Sequence, residues 1–198
     1  MNYFKNMIKH FHLVNKHRWY VFKVSVKAGI PIRGLLHDLS KYSFVEFFES
    51  VKYYNGHRSP IVGAKLDNGY SNAWLHHKGR NKHHLEYWED VTLKGRYGVF
   101  LPYKYMVEAL CDKIGAGMAY NRKKFNYNQP FEYWTNIEKK LPIEKHPGTI
   151  EFLDIMLERF SKEGFNAIKP NILKETYNQI YDKYFKKENY YKKYFDIK

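Results

Sequence analysis

Apolar side chains recur at helical spacing from residue 3 to residue 28. Phe4, Met7, Ile8 and Phe11 open the series, and Val14, Val21, Val24 and Ala28 continue it. That period lays a stripe along an α-helix, whereas a strand alternates its faces every second residue. Gly29-Ile30-Pro31 marks the stop, because proline disfavours helix in the residue before it. A second short helix is expected from Ile32 to about Leu39. Ser40 or Ser43 can cap a third, Phe44 to Tyr54, with Glu46 in its first turn and Asn55-Gly56 at its end. Residues 56 to 69 read as a loop, since they hold Gly56, Ser59-Pro60, Gly63 and Asp67-Asn68-Gly69. Further helix is expected from Ser71 to Asp90, with a potential break at Gly79. Pro102 then opens a helix from Tyr103 to about Asn121, and Pro130 starts a short one. Two more are expected, Ile150 to Lys162 and about Asn171 to Phe185. No alternating strand stands out, so the expected fold class is all-α, and no linker or repeat divides the 198 residues into separate domains.

Cys111 is the only cysteine, which excludes an internal disulfide framework and a cysteine-based zinc site. No apolar run approaches the roughly 18 residues that span a bilayer, and no secretory leader stands out at the N-terminus. The expectation is a soluble cytoplasmic protein with no membrane insertion. Lys plus Arg number 34 against 20 Asp plus Glu, a net charge of +14. Such a balance attracts anions such as a nucleotide, nucleic acid or an anionic surface. The chain is also rich in Lys, Asn, Tyr, Phe and Ile, as AT-rich coding produces, so the charge speaks to association and not to chemistry. From Tyr181 to Lys198, six lysines interleave with aromatics. Such a tail can hold single-stranded nucleic acid; its ordinary form is a helix with tyrosines packed inward and lysines solvated.

Ten histidines stand in the chain, and their arrangement says more than their number. His37-Asp38 follows the apolar turn Ile32 to Leu36, His17 lies 20 residues upstream on another helix, and Asp112 lies on a later one. That later helix offers small faces at Ala109, Gly115, Ala116 and Ala119. A carboxylate among small apolar residues is costly to bury unless paired or bound to metal. Imidazole and carboxylate donors from separate helices suit Fe, Mn, Zn or Ni. The pairs His76-His77 and His83-His84 are seven residues apart. On one continuous helix, His77 and His84 share a stripe with Trp74 and Trp88, and His76 and His83 share another with Arg80. The expected ligands of a second metal are therefore His77 and His84. His76, His83 and Arg80 are expected to face a phosphate or supply a proton. His57 could reach a phosphate but reads more simply as solvated. His10 and His12 read as surface residues, His146 as a helix-entry residue, and Cys111 as packing.

The segment Leu35-Leu36-His37-Asp38-Leu39-Ser40-Lys41 resembles the signature of the HD superfamily of metal-dependent phosphohydrolases. His17 followed by Val21 and Val24 resembles that family's first helix, and Asp112 in Ala109-Leu110-Cys111-Asp112-Lys113 resembles its last aspartate. The stretch from His37 to Ser43, with Gly69-Tyr70-Ser71, Trp74 to His84 and Glu86-Tyr87-Trp88, also resembles an uncharacterised HD-related family of bacteria and phages, a domain of unknown function. The resemblance implies an HD-domain-like helical bundle, with residues 1–122 as metal-binding core and 123–198 as a C-terminal helical extension. It implies one or two divalent ions (Fe, Mn, Zn or Ni, with Mg an option) on His17, His37, Asp38 and Asp112, with Asp38 able to bridge. It places Lys41 near the phosphate, and members with extra histidines commonly hold two metals. The implied activity is hydrolysis of a phosphate ester, with a nucleotide or a cyclic or signalling nucleotide as the favoured substrate. Two alternatives stand: an HD-type di-iron oxygenase acting on a small polar substrate, and a basic nucleic-acid-binding protein with an inactive metal site.

Overall fold

A computed structural model describes residues 3–56, 58–187 and 190–195. His57 and Lys198 lie outside the described residues. The fold is all-α, as expected, and 75% helical. Helix α1 (Tyr3–Lys27) runs through the expected stripe, and the turn that closes it holds Gly29 at φ +77. α2 (Pro31–Leu36) follows, and a 3-10 turn, Leu39–Tyr42, leads to α3 (Phe44–Tyr53). Ser43 caps α3, its Oγ accepting from the Glu46 N–H.

Three expected elements need correction, and so does His10, which is buried rather than on the surface. Residues 60 to 68 are not loop but helix α4 (Pro60–Asn68). The breakers sit at its ends: Pro60 starts it, where its missing N–H costs nothing, and Gly69 closes it at φ +80. The helix expected from Ser71 to Asp90 stops early, as α5 (Asn72–Arg80). Asn81 takes over its end, donating from its side chain to the His77 carbonyl at 2.9 Å. Beyond it lies a 3-10 turn, Leu85–Trp88, and then a two-stranded antiparallel hairpin that the sequence did not announce. β1 (Glu89–Thr92) pairs with β2 (Gly95–Gly98), Glu89 opposite Gly98 and Thr92 opposite Gly95.

Helix α6 (Tyr103–Asn121) is the central element, with Met106, Val107, Leu110, Cys111 and Ile114 fully out of water. It packs along α1 at unusually close range. A Cβ on Gly115 would lie 2.8 Å from the Val21 backbone nitrogen, so only glycine allows this approach. The same core continues through α7 (Gln129–Asn136), α8 (Pro147–Glu163) and α9 (Pro170–Tyr181), with Trp134, Phe152, Met156, Phe160 and Leu173 at its centre. A π-helical turn, Asp182–Lys187, and α10 (Lys192–Phe195) follow. In the described part of the tail Tyr184, Tyr190, Tyr191 and Tyr194 are half-buried, whereas Tyr181 is exposed and Lys183 half-buried. The Tyr191 hydroxyl accepts from the Phe100 N–H at 2.8 Å, and Lys192 and Lys193 are exposed.

Candidate metal centre

Each element contributes for a local reason. His17 faces α6 on the buried side of α1. α2 ends at Leu36, His37 turns extended, and Asp38 takes φ 54, ψ 27, the one non-glycine residue at positive φ among those described. Aspartate tolerates this left-handed region better than most residues, though still at a cost, and such costs concentrate at functional sites. Here the kink aims His37 and Asp38 into the same interior. Asp112 comes from α6, one turn past Glu108.

His17, His37, Asp38 and Asp112 bring four donor atoms together. His17 Nε2 lies 3.3 Å from His37 Nε2, 3.3 Å from Asp38 Oδ2 and 3.2 Å from Asp112 Oδ1. His37 Nε2 lies 3.3 Å from Asp38 Oδ2 and 3.4 Å from Asp112 Oδ1. Metal–ligand bonds of about 2.1 Å in a tetrahedral site imply donor–donor edges of about 3.4 Å. The spacing thus fits a first-row divalent ion.

A second group shares Asp38. Its other oxygen, Oδ1, lies 3.4 Å from His77 Nε2 and 3.6 Å from His83 Nε2, and His84 completes the set. Asp38 Oδ1, His83 Nε2 and His84 Nε2 are buried and have no hydrogen-bond partner. Buried polar atoms are normally satisfied, and a cation among these three would satisfy all of them. Buried His/Asp clusters able to hold a metal ion are therefore present.

Two carboxylates stand behind the histidines. Glu46 accepts from His77 Nδ1 at 2.7 Å and from His76 Nδ1 at 2.6 Å. Glu108 accepts from His37 Nδ1 at 3.2 Å and is clamped by Arg33. A carboxylate on Nδ1 fixes the proton there and turns the Nε2 lone pair inward, the usual support of a metal-bound histidine. Burial raises the pKa of Asp38, but facing His37, Lys41 and His77 outweigh it and hold the carboxyl well below its ordinary range. Asp112 is likewise held low against burial, by His17 and His37. Burial lowers His37, yet Asp38, Asp112 and Glu108 raise it well above 6.5. Burial and neighbouring histidines push His83 and His84 down, which keeps their lone pairs free.

The structure brings His17, His37, Asp38, His77, His84 and Asp112 into one interior. His83 joins them and does not share an outward stripe with His76: α5 ends before it, so both members of the His83-His84 pair turn in. Arg80 is exposed at the end of α5, off any stripe with His83. His76 is half-buried against Glu46. Lys41 lies beside the cluster, its Nζ 2.6 Å from Asp38 Oδ2. Glu46 and Glu108 were missed by sequence reasoning. Glu46 read as a helix-start acid, while Glu108 stood one turn before Asp112 on the same face and could have been found that way.

The sequence profile of a family of unknown function, DUF5662, matches residues 6–159. The chain belongs to that family. The DUF5662 match spans every residue of both ligand groups and of the carboxylates behind them. No curated protein and no solved structure matches the chain.

Proposed function

We propose that this DUF5662 protein is a metal-dependent phosphohydrolase of the HD type, acting on a phosphate ester, with a nucleotide or cyclic nucleotide as the favoured substrate. The observation that carries the reading is the divided Asp38 carboxylate, with Oδ2 facing His17 and His37 and Oδ1 facing His77 and His83. An aspartate so placed serves two ions. His17, His37, Asp38 and Asp112 would hold one, and Asp38, His77, His83 and His84 the other. The donor set of imidazole and carboxylate suits Mn, Fe, Zn or Ni. Bound there, divalent ions supply a water of pKa near 7 and a Lewis acid for phosphoryl oxygen.

The chain's own groups fit the rest of the reaction. Lys41 carries a positive charge at the edge of the cluster, suited to phosphoryl oxygens. His76 gives Nδ1–H to Glu46, which leaves Nε2 to exchange a proton with a leaving oxygen. The net charge of +14 draws an anionic substrate. The test is elemental analysis of wild type and His37→Ala, followed by assay of metal-replete protein on model phosphodiesters, phosphomonoesters and nucleotides. Two equivalents of Mn, Zn or Ni, lost in the variant, with phosphate release, are expected. Two equivalents of iron with oxygen consumption and no phosphate release would replace hydrolysis by oxygenase chemistry. No metal in either protein, even after reloading, would overturn the reading.

A further inference from the structure

Glu108 is 2% exposed, and a buried carboxylate is costly unless its partners repay the lost hydration. Its partners are divided by oxygen. Oε2 takes the Arg33 fork, with Nε at 3.0 Å and Nη2 closer still. Oε1 accepts from His37 Nδ1 at 3.2 Å and lies 3.4 Å from His83 Nδ1, a buried nitrogen with no hydrogen bond for which this oxygen is the acceptor at hand. These two rings belong one to each of the groups built on Asp38, they form a third set of potential donors together with Glu108, and their centroids are 4.4 Å apart. Glu46 offers a contrast, since both of its imidazole contacts, His76 and His77, come from α5 and only His77 is in a ligand group.

We propose that Glu108 is a positioning residue that couples the two ligand groups, with Arg33 as its clamp. Resting on the metal-centre reading above, the argument runs through the imidazole proton. A neutral imidazole carries one proton, and a proton held on Nδ1 leaves Nε2 as the donor atom. One oxygen of Glu108 thus biases His37 in the first group and His83 in the second. Arg33 holds the other oxygen with two charge-assisted donors, Nε and Nη2, which leaves Oε1 turned to the imidazoles. Arg33 also sits on α2, whose end carries His37, so the clamp ties that turn to α6. A pair that served stability alone would need no imidazole from either group.

The experiment compares Glu108→Gln, Glu46→Gln and Arg33→Lys by two measurements. Competitive titration with Co(II) or Zn(II) gives the affinity of each ion, and the Co(II) absorption spectrum reports the ligand field. Long-range proton–nitrogen NMR of the metal-free protein reads the tautomer of His83. Glu108→Gln is expected to weaken both ions by about 10- to 100-fold and to shift His83 away from its Nδ1–H form. Glu46→Gln should weaken one ion and leave the His83 tautomer alone. Arg33→Lys should fall between wild type and Glu108→Gln. Unchanged affinities in Glu108→Gln, loss confined to one ion, or an unchanged His83 tautomer would overturn the proposal. If wild type takes up no ion, the metal reading falls, while the tautomer still decides whether Glu108 sets the His83 proton. Should Glu108→Gln not fold, Arg33→Gln is judged by the same two readouts.

Discussion

His37 and His146 are both 1% exposed, yet they occupy opposite kinds of interior. Around His37 stand Asp38, Glu108 and Asp112, and these carboxylates outweigh burial and raise its pKa well above 6.5. Around His146 stand Phe100, Tyr184, Phe185, Tyr190 and Tyr191. With no charge to offset it, burial pushes His146 down to about 4. His146 uses Nδ1 to cap α8, accepting from the Gly148 N–H at 3.0 Å, and its Nε2 has no partner. An orphaned buried nitrogen is thus insufficient to mark a ligand. The mark is an orphan that converges with carboxylates and with other orphans.

The sharpest way to break this contrast is Asp38→Asn, which keeps a side chain that tolerates the left-handed backbone. Both ions are expected to go, each weakened by more than about 100-fold, since even outer partners of a ligand cost 10- to 100-fold. Elemental analysis would show it, and retention of one ion would mean that Asp38 is not shared. Next comes Trp134→Ala, on the aromatic side of the molecule. Trp134 is fully buried and donates Nε1–H to Asp154 at 2.7 Å. Its loss should cost about 3–5 kcal/mol in a denaturant melt and leave metal content unchanged.

The smallest effect concerns pH. The His146 pKa is depressed in the folded state, so the unfolded chain binds the proton more readily below pH 6.5. Stability from this group is complete above pH 6.5 and is lost as pH falls toward about 4. His146→Asn keeps a capping acceptor but cannot titrate. In melts of metal-free protein, its stability should fall less steeply than that of wild type between pH 6.5 and 4. Parallel slopes would show that the aromatic surroundings leave His146 free to protonate.

Much of the helical framework was legible because it rests on periodicity and punctuation. α1, α3, α6 and α8 each carry a stripe or a capping signal close to where the structure begins them. α4 was hidden because Pro60 and Gly69 read as loop formers, although at helix ends they are boundary markers. The hairpin was hidden because Glu-Asp-Val-Thr and Gly-Arg-Tyr-Gly carry little apolar alternation, and pairing across a short turn makes it. The inward sides of His17 and Asp112 follow from helix position, while His37 is turned inward by the break after α2. Glu108 was within reach as the residue one turn before Asp112 on the same face, whereas the inward turn of His83 depends on where α5 stops, which the sequence did not mark.

Gly115 carries a consequence beyond packing. Its bare Cα lets α6 lie against the Val21 backbone, and one turn away on each helix stand Asp112 and His17, with donor atoms 3.2 Å apart. The bite of the site is therefore gauged by a residue that binds nothing. A methyl at position 115 would act as a shim between the two helices, opening that bite and moving the preference from a small first-row ion toward one of larger radius. The ionic size such a site would accept is set by the spacing of the backbone as much as by the ligands.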